Sequence, residues 1–461
     1  MVLTGNWAPR LGIIYDPTKE GRSKFYASWG RFYESIPSDI NDRSFGGEVQ
    51  YLSRFTATDL TQCGPTDPRI GGPNGTNCFT PYSTTGAQTG PANSDPTKEA
   101  TGGQQLIGAS GELVEPGIKA QYMDEVIAGL EYEIIDDLKL GLSYENRQLG
   151  RIIEDVSTDG ANTYIISNPG TFETSAEDQL ENQIARTDDP ATQARLEHEL
   201  TLYRGIRIFD HGTRDYNALN FTLTRRFSKH LYVQGSYVYS RIEGNYPGLI
   251  SYDNGQYDPN ISSQFDLIEL LENRVGPLPT DRPHYIKIDG YYTFDFKQKG
   301  QLTTGIRFRA LSGIPEQALA PHYLYGADES FLLPRGELGR SDFSHSLDAH
   351  VGYARKLPRN MQLELFLDVF NVYNDQGTFQ TDNTYAPLFR IAGPGENISS
   401  QQAANPVSGG TYSDLIWVKT IIINNNLPLE QDIPISRNPN FHNAIARYAP
   451  AMARLGVRLT F

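Results

Sequence analysis

The chain has 461 residues, with 40 Lys and Arg against 55 Asp and Glu, and so a formal net charge of −15. That surplus of negative charge, with no local basic stripe, excludes nucleic acid as a main partner, because a polyanion would be repelled. Only 38% of residues are apolar, and no apolar run approaches the roughly 18 residues that a spanning helix needs. Yet 27 Tyr and 21 Phe supply buriable area that a disordered chain lacks.

The stretch Met1-Val2-Leu3-Thr4-Gly5-Asn6-Trp7 has neither a basic nor an apolar export region, so no export signal is visible there. From residue 8 onward the chain alternates with period two, the mark of strands with one apolar face. Residues 8 to 15 and 23 to 33 are the first two candidates, joined by the polar turn Pro17 to Arg22. A long excursion, 35 to 120, follows, and it holds the only cysteines, Cys63 and Cys78. They lie fifteen apart in a Gly/Pro/Asn-rich stretch with no His or further Cys beside them, which disfavours a metal site. In an oxidising compartment a disulfide there would contribute about 3 kcal/mol by the chain-entropy estimate; two inert thiols are the alternative.

Residues 122 to 134 and 138 to 152 form the next predicted pair, turning at Asp136-Asp137. Residues 175 to 203 carry a helical signal instead: Leu180 and Ile184 are four apart, as are Leu196 and Leu200, and Asp189-Pro190 offers an N-cap followed by Pro at the first helical position. This predicts a small helical insert in a loop that caps the end of the strands. Strands resume at 214 to 227, and then Leu231, Val233, Tyr237 and Tyr239 alternate with Tyr232, Gln234, Ser236 and Ser240. The acidic stretch 253 to 274 (Asp253, Asp258, Asp266, Glu269, Glu272) lacks EF-hand spacing, so a solvated surface is preferred there to a calcium site.

Further on, Ile286, Ile288, Tyr292, Phe294 and Phe296 oppose Lys287, Asp289, Tyr291 and Asp295, and Leu302, Ile306 and Phe308 oppose Arg307 and Arg309. Residues 343 to 355 follow; then Met361, Leu363, Leu365, Leu367 and Val369 alternate with Gln362, Glu364, Phe366 and Asp368. Finally Ala451, Ala453, Leu455, Val457, Leu459 and Phe461 oppose Met452, Arg454, Gly456, Arg458 and Thr460. That makes eleven strands. Short polar turns alternate strictly with long excursions (35 to 120, 153 to 213, 242 to 283, 313 to 341 and 374 to 449).

This order predicts an all-β fold, a transmembrane antiparallel β-barrel with tight periplasmic turns and long outer loops, over a soluble sandwich. Aromatics such as Trp29, Tyr144, Tyr239 and Tyr353 end the apolar faces, as interfacial girdles would. With short turns periplasmic, the first and last strands both run downward. An odd count with an outside N-terminus is not a whole bacterial barrel, so the chain reads as the C-terminal portion, 1–461, of a longer barrel.

No catalytic motif is present: G-x-S-x-G, H-E-x-x-H, the P-loop and the dinucleotide fingerprint are all missing. His198 sits in a Leu-Glu-His-Glu-Leu run without a second histidine, and Asp348 and His350 on one strand face fit a polar lumen better than a catalytic dyad. Neither an enzyme nor a cofactor is expected.

The alternation Leu455, Val457, Leu459 and terminal Phe461 resembles the signal by which barrel-assembly machinery recognises outer-membrane strands. Asn6-Trp7-Ala8-Pro9-Arg10-Leu11-Gly12 with Tyr15-Asp16-Pro17, Tyr26-Ala27-Ser28-Trp29-Gly30-Arg31-Phe32-Tyr33-Glu34, and Leu363 through Asn374 resemble barrel segments of TonB-dependent outer-membrane receptors, especially the Oar-like group. So does the ending from Asn440-Phe441 through Phe461.

The resemblance implies a 22-stranded barrel closed by an N-terminal plug and energised through TonB, with this chain as its last half. The plug, the TonB box and a signal peptide are not seen here. The function so implied is transport of a bulky ligand, captured by extracellular loops, across a Gram-negative outer membrane whose lipid wets the barrel. A passive porin or adhesin is the alternative and an extracellular β-rich enzyme a weaker one; the ligand itself is not legible.

Overall fold

The computed structural model describes residues 5–34, 113–387 and 406–461, apart from positions 162, 172–173, 254, 256–261, 323, 360 and 425–426, together with short strands at 50–53, 55–57, 79–81, 104–107 and 403–404. Cys63 and Cys78 lie outside the described residues.

Eleven long strands form one antiparallel sheet in simple sequence order. They are β1 (Arg10–Tyr15), β2 (Ser23–Tyr33), β3 (Tyr122–Ile135), β4 (Leu138–Arg151), β5 (Arg214–Ser228), β6 (Leu231–Gly244), β7 (His284–Asp295), β8 (Gln301–Leu311), β9 (Ser344–Lys356), β10 (Gln362–Phe370) and β11 (Met452–Thr460). The two-residue pair Gly276–Pro277 adds briefly to β6. The period-two segments of the sequence are therefore the wall. β1 begins at Arg10 because Pro9 has no N–H to give; its carbonyl still accepts from Arg31 at 3.0 Å.

Short connections join alternate pairs, and each contains a residue in the left-handed region: Lys19, Asp137, Lys229 with His230, Lys297 and Arg359. Two consecutive positive φ values at Lys229 and His230 match the twist of the flanking strands, as a type I′ hairpin does. In the first turn Asp16 is the anchor, accepting from Thr18 Oγ1 at 2.6 Å, Ser23 Oγ at 2.7 Å and Gly21 N at 2.7 Å. Those bonds, Ser23 foremost, hold its carboxyl far below the usual range.

Register places the apolar residues in continuous rows. One row runs Phe25, Leu130, Leu142 and Phe221, joining Tyr237 and Ile286 across neighbouring strands. Another runs Ile306, Ala349, Val369 and Ala453. Among the described residues nothing packs on this face: Ile13 is 66% exposed, Ile306 51%, Leu365 48% and Leu455 80%. A monomer in water does not expose apolar surface on this scale.

The wall does not close on itself. Among the described residues β1 pairs only with β2 and β11 only with β10.

Candidate functional site

The opposite face of the sheet is polar, and its charges pair across strands. Glu131 binds Lys139 at 2.7 Å and Lys24 at 3.8 Å. Arg147 joins Glu125 on the neighbouring strand (2.6 Å) and Glu145 on its own (2.8 Å), and Arg309 joins Asp289 at 2.8 Å. Toward β11 the pairs are Arg458–Glu364 at 3.0 Å and a shared Asp368, which takes His350 Nδ1 on one oxygen and Arg454 on the other, both at 2.6 Å. Phe366 lies between Arg454 and Arg458 over Gly456, where a Cβ would collide with its ring.

Register therefore decides partners that spacing cannot. His350 pairs with Asp368, whereas Asp348 accepts the backbone N–H of Asn371 at 2.9 Å. These pairs are half-exposed and spread over many strands; they line a surface and do not converge on a reacting atom. His198 sits exposed on the helix Pro190–Gly205.

The described parts of the long connections meet at one end of the sheet and build a cap with its own core. Two helices, α1 (Thr174–Ile184) and α2 (Pro190–Gly205), form a pair, and Asp189 accepts from Thr192 N at 3.0 Å to cap α2. Leu180, Leu196, Leu200 and Tyr203 from these helices pack on Ile152, Val156 and Ile165 of their own connection and on Tyr246 and Phe265 of the next long connection. A second core joins Leu332 and Leu333 to Tyr385, Leu415, Val418 and Phe441. Burial of each such side chain contributes about 1.5–3 kcal/mol, so the cap is held by packing of the kind found in soluble domains.

Polar groups tie the connections together inside this cap. Tyr164 and Tyr325 share a hydroxyl hydrogen bond of 2.6 Å; Arg335 pairs with Asp253 at 2.6 Å and Arg340 with Asp281. Arg274 and Arg335 both lie over Phe331, at 4.7 and 4.5 Å from the ring centre. Glu154 is fully buried, with Ser262 N donating to it at 2.9 Å; burial, and then the charge of Asp155, push its pKa well above the usual range. Asp266 is raised by the same two causes. No sequence pattern marks Glu154, because its neighbours are brought together over about a hundred residues of chain. Among the described residues no group of three or more His, Cys, Asp or Glu is arranged to hold a metal, and Asp253 and Asp266 serve these internal contacts.

The sequence-predicted assembly residues fall together on the outermost strand. Leu455 faces Leu367 in the adjacent strand, Val457 faces Leu365 and Leu459 faces Leu363, and Phe461 follows directly, 96% exposed.

An antiparallel wall with one bare apolar face, one charged face, tight turns at one end and a folded cap at the other is a membrane β-barrel wall. The chain belongs to the outer membrane beta barrel domain family, whose model matches residues 3–314. Over its whole length it is 33% identical to the TonB-dependent transporter Oar of Myxococcus xanthus, and it spans 39% of that protein. Among solved structures it is similar to the outer-membrane transporter YddB of Escherichia coli, at 14% identity and a TM-score of 0.41, covering 81% of this chain and 37% of that one. It is also similar to the ferric-catecholate import receptor Fiu of E. coli, at 12% identity and a TM-score of 0.37, covering 81% of this chain and 32% of that one. The protein is thus an outer-membrane barrel protein, and its curated relative is a transporter.

Proposed function

We propose that this chain is the C-terminal half of the barrel of a TonB-dependent transporter, in which extracellular loops capture a bulky ligand and pass it through a plugged lumen. The observation that carries the reading is the direction of the two free edges. β1 and β11 both run from the cap end toward the short turns, so closing the sheet on itself would set them parallel. An odd number of further strands restores antiparallel closure, and without them every unpaired edge group in lipid costs several kcal/mol. The 33% identity to Oar, with 39% of that protein covered, supports the same division of the molecule.

In this reading the cap lies outside the cell and the C-terminus lies in the periplasm. The charged face lines the lumen and meets a plug supplied by sequence N-terminal to this chain, through which TonB acts. Leu455, Val457, Leu459 and Phe461 are the residues offered to the barrel-assembly machinery.

Planar-bilayer recording on the complete protein tests the proposal. A plugged transporter shows no steady conductance until the plug is deleted; a pore that stands open in the intact protein would instead establish a passive porin.

A further inference from the structure

The cap carries a cleft of about 560 Å³ between two rigid ledges, lined by Glu269, Glu272, Val407, Ser408, Trp417 and Lys419 among others. That volume is in the range of small-ligand sites. One ledge is the 3₁₀ turn Tyr412–Trp417, fixed at its start by a reciprocal cap between Thr411 and Asp414 and along its length by Tyr385 Oη donating to Leu415 O at 3.0 Å. Leu415 and Val418 are buried on either side, yet Trp417 between them is 71% exposed. A large ring held out in water by buried neighbours is preorganised for contact.

The facing ledge presents two carboxylates, one helical turn apart. Asn273 ties it to the chain before Trp417, donating to Val407 O at 3.1 Å and accepting from Gly409 N at 3.1 Å, so the width of the cleft is set. His322 stands 3.9 Å from Glu269 but supplies no positive charge at neutral pH, because burial, aided by Arg274, pushes its pKa down to about 4. The lining has two glutamates against one lysine, a net charge of −1. Pro406, Val407 and Val418 complete it with apolar surface.

We propose that this cleft binds a cationic side chain of an extracellular peptide, arginine above all. The guanidinium would lie over the Trp417 indole and reach Glu269 and Glu272, while its methylene stem packs on Pro406 and Val407. The proposal rests on the reading that the cap faces outward.

The test uses the complete protein in detergent, with tetra-arginine amide as the probe and tetra-glutamine amide and maltotriose as controls. Saturable, salt-sensitive binding of tetra-arginine is expected, weakened about fivefold by Trp417→Ala and further by Glu269→Gln with Glu272→Gln, with no binding of either control. Binding unchanged in these variants, or maltotriose binding that depends on Trp417 while tetra-arginine does not bind, overturns it. Labelling of Trp417→Cys by a membrane-impermeant maleimide on intact cells, in a Cys63→Ser, Cys78→Ser background, separates the two ideas. Labelled cells with no tetra-arginine binding sink the cleft alone; labelling only after lysis sinks the outward cap, and with it a cleft for extracellular peptide.

Discussion

Arginine in place of Ile306 should remove the complete protein from the folded outer-membrane fraction, whereas arginine in place of Thr303, three residues earlier on the same strand, should leave it there. Ile306 sits in the middle of the apolar row of β8, between Gly290 and Ala349, and is half-exposed; Thr303 points to the charged face. If hydrocarbon wets the first face, an arginine at its midplane costs about 2–4 kcal/mol, a loss of about thirty-fold to several-hundred-fold in the folded population. Heat-modifiable migration of the two variants reads the difference. A sheet whose apolar rows were merely exposed to water would gain solubility from Ile306→Arg, so equal folding of both variants would count against the membrane wall.

The cap should weaken as pH rises, through Glu154 and Asp266. Both carboxyls have folded-state pKa values raised above the ordinary carboxylate range, by burial first and by Asp155 second. Below about pH 4 folded and unfolded forms are both protonated, and the cap keeps its full stability. As pH climbs above that, the unfolded cap releases its protons while the folded one retains them, so stability falls until the folded pKa values are passed, by up to about tenfold in protection per pH unit per proton retained. The groups around the pair are Asp155, Ser262, Tyr246, Tyr325, Glu329 and Arg274. Hydrogen-exchange protection of residues 154–156 and 262–266, corrected for intrinsic rates, should therefore be higher at pH 5 than at pH 8. Glu154→Gln with Asp266→Asn should flatten that slope. A slope of opposite sign, or one that persists in the double variant, would show that these carboxyls do not hold their protons in the fold.

The wall was legible in the sequence because a barrel strand has hydrocarbon on one side and water on the other, so Leu363, Leu365, Leu367 and Val369 stand apart from Glu364, Phe366 and Asp368 without any knowledge of neighbours. Helix α2 was legible for an equally local reason, Asp189 and Pro190 at its start. Partnerships across strands were not: Asp348 and His350 share a face, but register gives His350 to Asp368. The cap was hidden further. Its short strands, such as Glu154–Val156 and Ile165–Ser167, are buried on both sides and carry no period, and Glu154 meets Ser262 across 108 residues. Trp417 reads in the sequence as one apolar residue among Leu415, Ile416 and Val418, and only packing shows which of them point outward.

The most direct measurement is spin-label accessibility along β10 in the complete protein reconstituted in lipid. Single cysteines at positions 363 to 369, with Cys63 and Cys78 replaced by serine, would be probed with oxygen, which concentrates in hydrocarbon, and with a nickel chelate confined to water. The account predicts oxygen contact at Leu363, Leu365, Leu367 and Val369, and chelate contact or neither at Glu364, Phe366 and Asp368. Chelate contact at all seven positions, or lipid contact without this alternation, would contradict it.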